Sequence, residues 1–166
     1  MSILHPSRCV ASIDLLGVDD LVRDGVRCVL FDRDNTCVPR DTRQAPPAVA
    51  AWFRRVHEAG ISTCMVSNNI HTRAVEDSAR ELASLVVHHA LKPLPCAVRA
   101  ALRRMGVSAA EAVMVGDQVF TDVLAGNLAG VRTILVRPQS ACDLPHMRLV
   151  RLLEHRVIGE RPFEGE

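Results

Sequence analysis

The chain has 166 residues, enough for one domain with a real core and too few for two domains to be expected. Apolar residues make up 48% and charged residues 23%, the balance of an ordinary globular protein. A formal charge of +1 gives no overall field toward nucleic acid, and aromatics at 3% with no Tyr remove the usual stacking platforms for bases, so no nucleic-acid partner is expected.

In chain order, the first ten residues, MSILHPSRCV, lack the apolar core of a signal peptide, and no apolar run approaches the ~18 residues of a membrane span. A cytoplasmic protein is the expectation. The first β-type run is 26–31. Pro46 and Pro47 then open a helix that carries Val49, Trp52, Phe53 and Val56 on one stripe and stops at Gly60. A second run at 61–66 precedes a helix over 72–83 with Val75, Ala79 and Leu82 in line. A third, 85–88, leads to a helix opened by Pro95, carrying Val98, Leu102 and Met105 and stopped by Gly106. A fourth run, 112–115, a weaker helical stretch over 119–129 and a fifth run, 131–136, follow.

Strands apolar throughout and alternating with helices predict an α/β fold, a doubly wound parallel sheet covered on both faces. The core is expected over about 26–140 of a single 1–166 domain. Ligands in such folds bind beyond the carboxyl ends of the strands, where strand order reverses. The residues just after each run are Asp32 and Asp34, then Ser67, Asn68 and Asn69, then Lys92, then Gly116 and Asp117 with Asp122 beyond. Gathered carboxylates repel unless a hard cation sits among them, and Mg²⁺ takes oxygen ligands. A phosphate drawn to that cation needs donors, which Ser67, the loop amides around Asn68 and Lys92 can supply. An Asp can attack phosphorus, and a second Asp two positions on, on the same side of an extended segment, can move protons. Lys92 is the only lysine in the chain, a compact point charge among arginines.

These residues resemble the haloacid dehalogenase-like (HAD) superfamily. The likeness lies in Cys28-Val29-Leu30-Phe31-Asp32-Arg33-Asp34-Asn35-Thr36, in Met65-Val66-Ser67-Asn68-Asn69, in Lys92, and in Gly116-Asp117-Gln118-Val119-Phe120-Thr121-Asp122. More narrowly the chain is similar to the YqeG branch of subclass IIIA. The resemblance implies a phosphohydrolase that makes an aspartyl phosphate. Asp32 would be nucleophile and Mg²⁺ ligand, Asp34 acid/base and a ligand through its carbonyl, and Asp117 a ligand. Ser67, Asn68 and Lys92 would hold the phosphoryl group, and Asp122 would orient water or Lys92. Asn35 stands where many relatives have Gly, and Asn tolerates left-handed backbone.

The stretches 37–66 and 68–91 leave no room for a cap domain, so the site is expected to be open, with a short flap around 37–44. An open site favours macromolecular or membrane-bound phosphates. Relatives of the branch include phosphatidylglycerophosphate phosphatases, so a lipid headgroup and a small molecule are both substrate expectations. Residues 145–158 form a basic amphipathic helix, with Leu149, Val150, Leu153 and Val157 on one face and Arg148, Arg151, His155 and Arg156 elsewhere. Such a helix either packs on the domain or lies on anionic lipid, which would hold the protein peripherally on the inner face of the membrane. Other readings remain: a phosphatase for a soluble sugar or nucleotide phosphate, and a HAD-derived scaffold without turnover. The six cysteines have no C-x-x-C spacing and read as buried, reduced thiols, and the seven histidines have no metal spacing.

Overall fold

A computed structural model describes residues 3–140, 145–159 and 161–166, with the side chains of 145–149 and 155 outside the description. The sheet is six-stranded and parallel throughout, in the order β1-β6-β5-β2-β3-β4. The strands are β1 (Arg8–Val10), β2 (Cys28–Phe31), β3 (Ser62–Val66), β4 (Leu85–Val87), β5 (Ala112–Gly116) and β6 (Arg132–Val136). The helices are α1 (Val18–Arg23), α2 (Pro47–Glu58), α3 (Thr72–Glu81), α4 (Cys96–Met105), α5 (Leu124–Leu128) and α6 (Pro145–Ile158).

Burial on both faces explains the unbroken apolar runs. All four residues of β2 and all five of β5 are buried, and their alternating side chains feed two cores. Val29, Phe31, Met65, Val113 and Val115 point to the face covered by α1, α2 and α3, where Trp52 and Phe53 pack. Cys28, Leu30, Cys64, Val66 and Met114 point to the other, against Val98, Ala101 and Leu102 of α4 and Ala125 of α5. Phe53 lies 4.8 Å from Phe31 and 5.1 Å from Trp52 between ring centroids. A third cluster joins Cys9, Val119, Val123, Leu135 and Phe163, with Val157 and Ile158 of α6 against it.

The strands lie within two residues of the runs read from the sequence, but the sheet has one strand more. β1 spans three residues, too short to show a period, and it holds its place through β6 and a bridge from Val10 to Glu164. The stretch expected as one helix over 119–129 is a π-turn at Val119–Val123 followed by the short α5. Four cysteines (9, 28, 37 and 64) are buried and free as expected; Cys96 is exposed at the start of α4, and Cys142 lies outside the described residues. No described helix is long and apolar enough to cross a membrane.

Trp52, the sole tryptophan, is fully buried and donates from Nε1 to the Leu16 carbonyl at 2.7 Å, tying α2 to the segment before α1. Trp52→Phe leaves that carbonyl unpaired and a void beside it. A loss of about 2–4 kcal/mol is expected, read as a lower urea midpoint by far-UV circular dichroism with an unchanged slope.

Candidate active site

Strand order reverses between β2 and β5, which are neighbours although β3, β4 and three helices separate them in the chain. Phe31 is in register with Met65 on one side and Val115 on the other. Ser67 and Asp117 therefore emerge at one level, one residue beyond that of Asp32, on three adjacent strands. The Asp32 amide still donates to the Val115 carbonyl at 3.0 Å, so the sheet itself fixes this carboxylate.

Lys92 arrives from beyond β4. Its ammonium is almost wholly buried and bridges Asp32 Oδ1 at 2.6 Å and Asp122 Oδ1 at 2.7 Å. Asn68 fastens the loop that carries it, accepting from the Lys92 amide at 2.8 Å and donating to the Lys92 carbonyl at 3.0 Å. The Asn68 side chain is thus committed to the backbone of Lys92. Left-handed backbone at His89 and Leu91 turns the chain into that position. Ser67 is buried, and its hydroxyl accepts from the Asn69 amide at 3.1 Å.

Asp122 comes from the π-turn after β5. Its Oδ2 accepts from the Gln118 amide at 3.1 Å, while Oδ1 faces Lys92. This close return needs Gly116, where a Cβ would lie 2.3 Å from the Asp122 Cβ. Asn35 adopts φ 60, the left-handed backbone its place in the motif called for. Its Oδ1 accepts from Ser140 at 2.7 Å.

Carboxylate oxygens of Asp32, Asp117 and Asp122 lie within 4.8 Å of one another, all buried. Burial, aided by Asp122 and Asp34 and opposed by Lys92, lifts Asp32 to about 6. Burial and the nearby Asp122 and Asp32, opposed by Arg151, lift Asp117 to about 8. Burial alone would lower Lys92, but Asp122 and Asp32 outweigh it and hold the ammonium charged. A cage of buried oxygen donors that resists ionisation is the donor set a hard divalent cation relieves.

Asp34 is placed differently from the extended-segment expectation. The chain turns at Arg33, and the Asp34 carboxylate faces the Arg33 guanidinium and the Asn69 side-chain amide, the latter at 2.9 Å. Arg33, itself buried, is held by its Nε donating to Ser78 at 2.9 Å. Among the described residues Asp34's carboxylate is not part of the three-acid cluster.

Two further participants come from α6. Arg151 forms an ion pair with Asp117 and donates to its carbonyl. Glu154 is buried and accepts from the Val119 amide at 2.6 Å and the Phe120 amide at 3.3 Å. α6 thus packs on the domain through Arg151, Glu154, Val157 and Ile158. Leu153, expected on its inner face, is exposed, as is Leu152. Arg33 and Arg151 were not legible as site residues. Arg33 is the unspecified position of a three-residue motif, and Arg151 is separated from Asp117 by 34 positions. The only signal was the Arg151–Glu154 spacing of one helical turn.

A HAD-hydrolase-like family model matches residues 89–143. The chain is 35% identical over 160 residues to the probable phosphatase YqeG of Bacillus subtilis, covering 96% of this chain and 92% of that protein. It is 29% identical over 158 residues to phosphatidylglycerophosphate phosphatase 1, chloroplastic/mitochondrial, of Arabidopsis thaliana. That match takes in 90% of this chain but 45% of the longer Arabidopsis protein. Among solved structures, the cobalt-bound deoxy-D-mannose-octulosonate 8-phosphate phosphatase (YrbI) of Haemophilus influenzae matches with TM-score 0.56 at 13% identity, over 81% of this chain and 88% of that one. NagD of Escherichia coli matches with TM-score 0.52 at 14% identity, over 82% and 94%. Both share the fold. Fold and relatives together define a phosphatase of the HAD-like class, and within it the chain belongs to the family of the Bacillus subtilis YqeG protein.

Gly116→Ala forces Asp122 back from the strand and with it one of the two oxygens holding Lys92. The expected result is a thermal midpoint lowered by the equivalent of about 1–3 kcal/mol and phosphatase activity down by about tenfold or more. Phosphate release alongside a melting curve measures both.

Proposed function

We propose that the chain hydrolyses a phosphate monoester through an aspartyl phosphate on Asp32, with Mg²⁺ held by Asp32, Asp117 and the Asp34 carbonyl. The observation that carries the reading is the Lys92 ammonium between Asp32 Oδ1 and Asp122 Oδ1 at 2.6 and 2.7 Å, beside the strand-order reversal. Lys92 fixes the Asp32 carboxylate in one orientation and leaves Oδ2 to attack phosphorus. The bond from phosphorus to the leaving oxygen breaks as Asp34 supplies that oxygen with a proton. Asp34 then takes a proton from water as the water attacks the aspartyl phosphate, releasing inorganic phosphate and restoring Asp32. Ser67 and Lys92 hold the phosphoryl oxygens during both steps. Asp122 positions Lys92, and Asn68 positions the loop that bears it. Mg²⁺ would supply positive charge that lets an anionic carboxylate and an anionic phosphate approach.

The name of the Arabidopsis relative puts phosphatidylglycerophosphate first among substrates to assay. If that lipid is reached in a bilayer, Arg151 does not serve as a membrane contact, because it is turned to Asp117. Of the described side chains of α6, Leu152, Leu153 and Arg156 are the exposed ones.

Asp32→Asn is expected to release no phosphate from any ester and to give no acid-stable label with ³²P-substrate while melting as a folded protein. Wild-type turnover by this variant would refute the nucleophile. Asp34→Asn, given an ester whose leaving group needs no proton, should form the labelled enzyme at a normal rate and accumulate it; rapid quench resolves the two steps.

Asp32 and Asp117 titrate near 6 and 8 rather than at the usual 3.8, so the metal-free fold binds protons that the unfolded chain has released. Their contribution to stability therefore falls as pH rises from about 4 through about 8. A cation binds only the ionised forms, so its effect has the opposite sign. Mg²⁺ is expected to raise the melting temperature over an EDTA control, and to do so more at pH 8 than at pH 6. Asp117→Asn should abolish most of that increment.

A further inference from the structure

Arg151 and Glu154 face inward from α6, and the two leucines between them face outward. Leu152 is 59% exposed and Leu153 46%, whereas Glu154 is 4% exposed and the Arg151 side chain 21%. Apolar burial alone favours the opposite rotation of the helix, since burying leucine is favourable and taking charges out of water is costly. The polar pair therefore sets how this turn of α6 docks, and what it docks on is the carboxyl edge of the sheet.

Arg151 grips Asp117 at two points. One terminal nitrogen meets Oδ2 of the carboxylate, and the other donates to the main-chain carbonyl of the same residue. A side chain tied to its own carbonyl in this way is held in one rotamer. The other oxygen, Oδ1, has the Thr36 hydroxyl at 3.4 Å. Asp32 and Asp122 are fastened by Lys92, and Asp122 also by the Gln118 amide at 3.1 Å. Among the described residues Lys92 pairs with those two acids, and Arg151 is the cation paired with Asp117.

The grip has a second foot. The same guanidinium meets Glu154 Oε2 at 3.3 Å, and Glu154 Oε1 takes the Val119 and Phe120 amides at 2.6 and 3.3 Å. Those amides open the turn that carries Asp122. One turn of α6 thus reaches from one acid of the three-carboxylate cluster to the backbone that presents another.

We infer that Arg151 is a positioning residue of the cation site, holding Asp117 by Oδ2 so that Oδ1 is presented to Mg²⁺, with Glu154 holding Arg151 in turn. The inference rests on the reading of Asp117 as a Mg²⁺ ligand. Hydrogen-bonding partners behind a ligating carboxylate set metal affinity by orienting it. Arginine suits the task because its planar fork spans two acceptors in fixed geometry, which the single nitrogen of a lysine does not. The guanidinium charge also repels a cation, so the orienting effect is isolated by a substitution that keeps the charge.

The test titrates Mg²⁺ into the substrate-free full chain by calorimetry and follows the Mg²⁺ dependence of p-nitrophenyl phosphate hydrolysis beside it. Arg151→Lys keeps the charge and loses the fork. It should bind Mg²⁺ about tenfold more weakly or worse, and the Mg²⁺ concentration for half-maximal turnover should rise in step, with a smaller change in the ester's KM. Val157→Ala loosens the packing of α6 without touching the pair. It should lower the melting temperature of the metal-free protein yet bind Mg²⁺ nearly as wild type does. Wild-type Mg²⁺ affinity in Arg151→Lys overturns the inference. So does an equal loss of affinity in both variants, which would make the effect one of helix packing. A wild type that binds no Mg²⁺ removes the cation site and the inference with it. A wild type whose Mg²⁺ binding depends on Arg151 but which hydrolyses no ester leaves the inference standing while the phosphatase mechanism falls.

Discussion

A buried ammonium between two buried carboxylates is costly to assemble, because all three groups lose water that only their mutual contact replaces. Here that contact joins parts of the chain far apart in sequence. Asp32 ends β2, Lys92 follows β4, and Asp122 returns from the turn after β5. Each arm has its own support: the β2–β5 ladder for Asp32, the Asn68 clamp for Lys92, and the absent side chain of Gly116 for Asp122. Loss of any one support leaves an unpaired buried charge, which explains why so much local backbone irregularity collects around one ion triplet.

The remaining charges are distributed in the same way, as pairs with separate duties. Arg33 faces Asp34, and Arg151 faces Asp117, so neither acid's charge is free to repel Asp32 at full strength. The second pairing also explains why α6 belongs to the domain. Glu154 takes two amide donors of the π-turn that a regular helix start would have left for a cap, while Arg151 reaches over to the end of β5. The catalytic end of the sheet is therefore walled on one side by a helix and open on the other, toward the flap and α3.

The parallel sheet could be read from the sequence because strands such as β2 and β5 are buried on both faces and must be apolar at every position. Asp32, Ser67 and Asp117 could be read for the complementary reason, since a polar residue that ends such a run has nowhere to go but the carboxyl edge. β1 escaped because Arg8–Val10 is too short to carry a period and depends on partners more than a hundred residues away. The Asn68 clamp escaped because an amide at a strand end offers the same groups to a phosphate or to a neighbouring backbone, and only the path of 88–92 decides between them. Asp34 was misplaced in detail because its segment bends at Arg33 where alternation assumes extension. The inner face of α6 was drawn through Leu153, since apolar spacing cannot foresee that a half-buried Arg151 and a buried Glu154 set the helix rotation.

β1 and the segment around Glu164 close the sheet's edge together. Arg8 pairs with Glu164, the Ala11 amide donates to the Glu164 carbonyl, and Phe163 is buried beneath Arg137. On a ribosome, Arg8–Val10 has left the exit tunnel long before β6 exists, and Glu164 is made later still. The β2–β3 pair, by contrast, needs only α2 between its strands, so contacts of short sequence separation can gather first, and β1, made before the other five strands, joins among the last. Through that interval an apolar Cys9-Val10 edge waits without a partner, which makes it a stretch on which a nascent-chain chaperone would have reason to act.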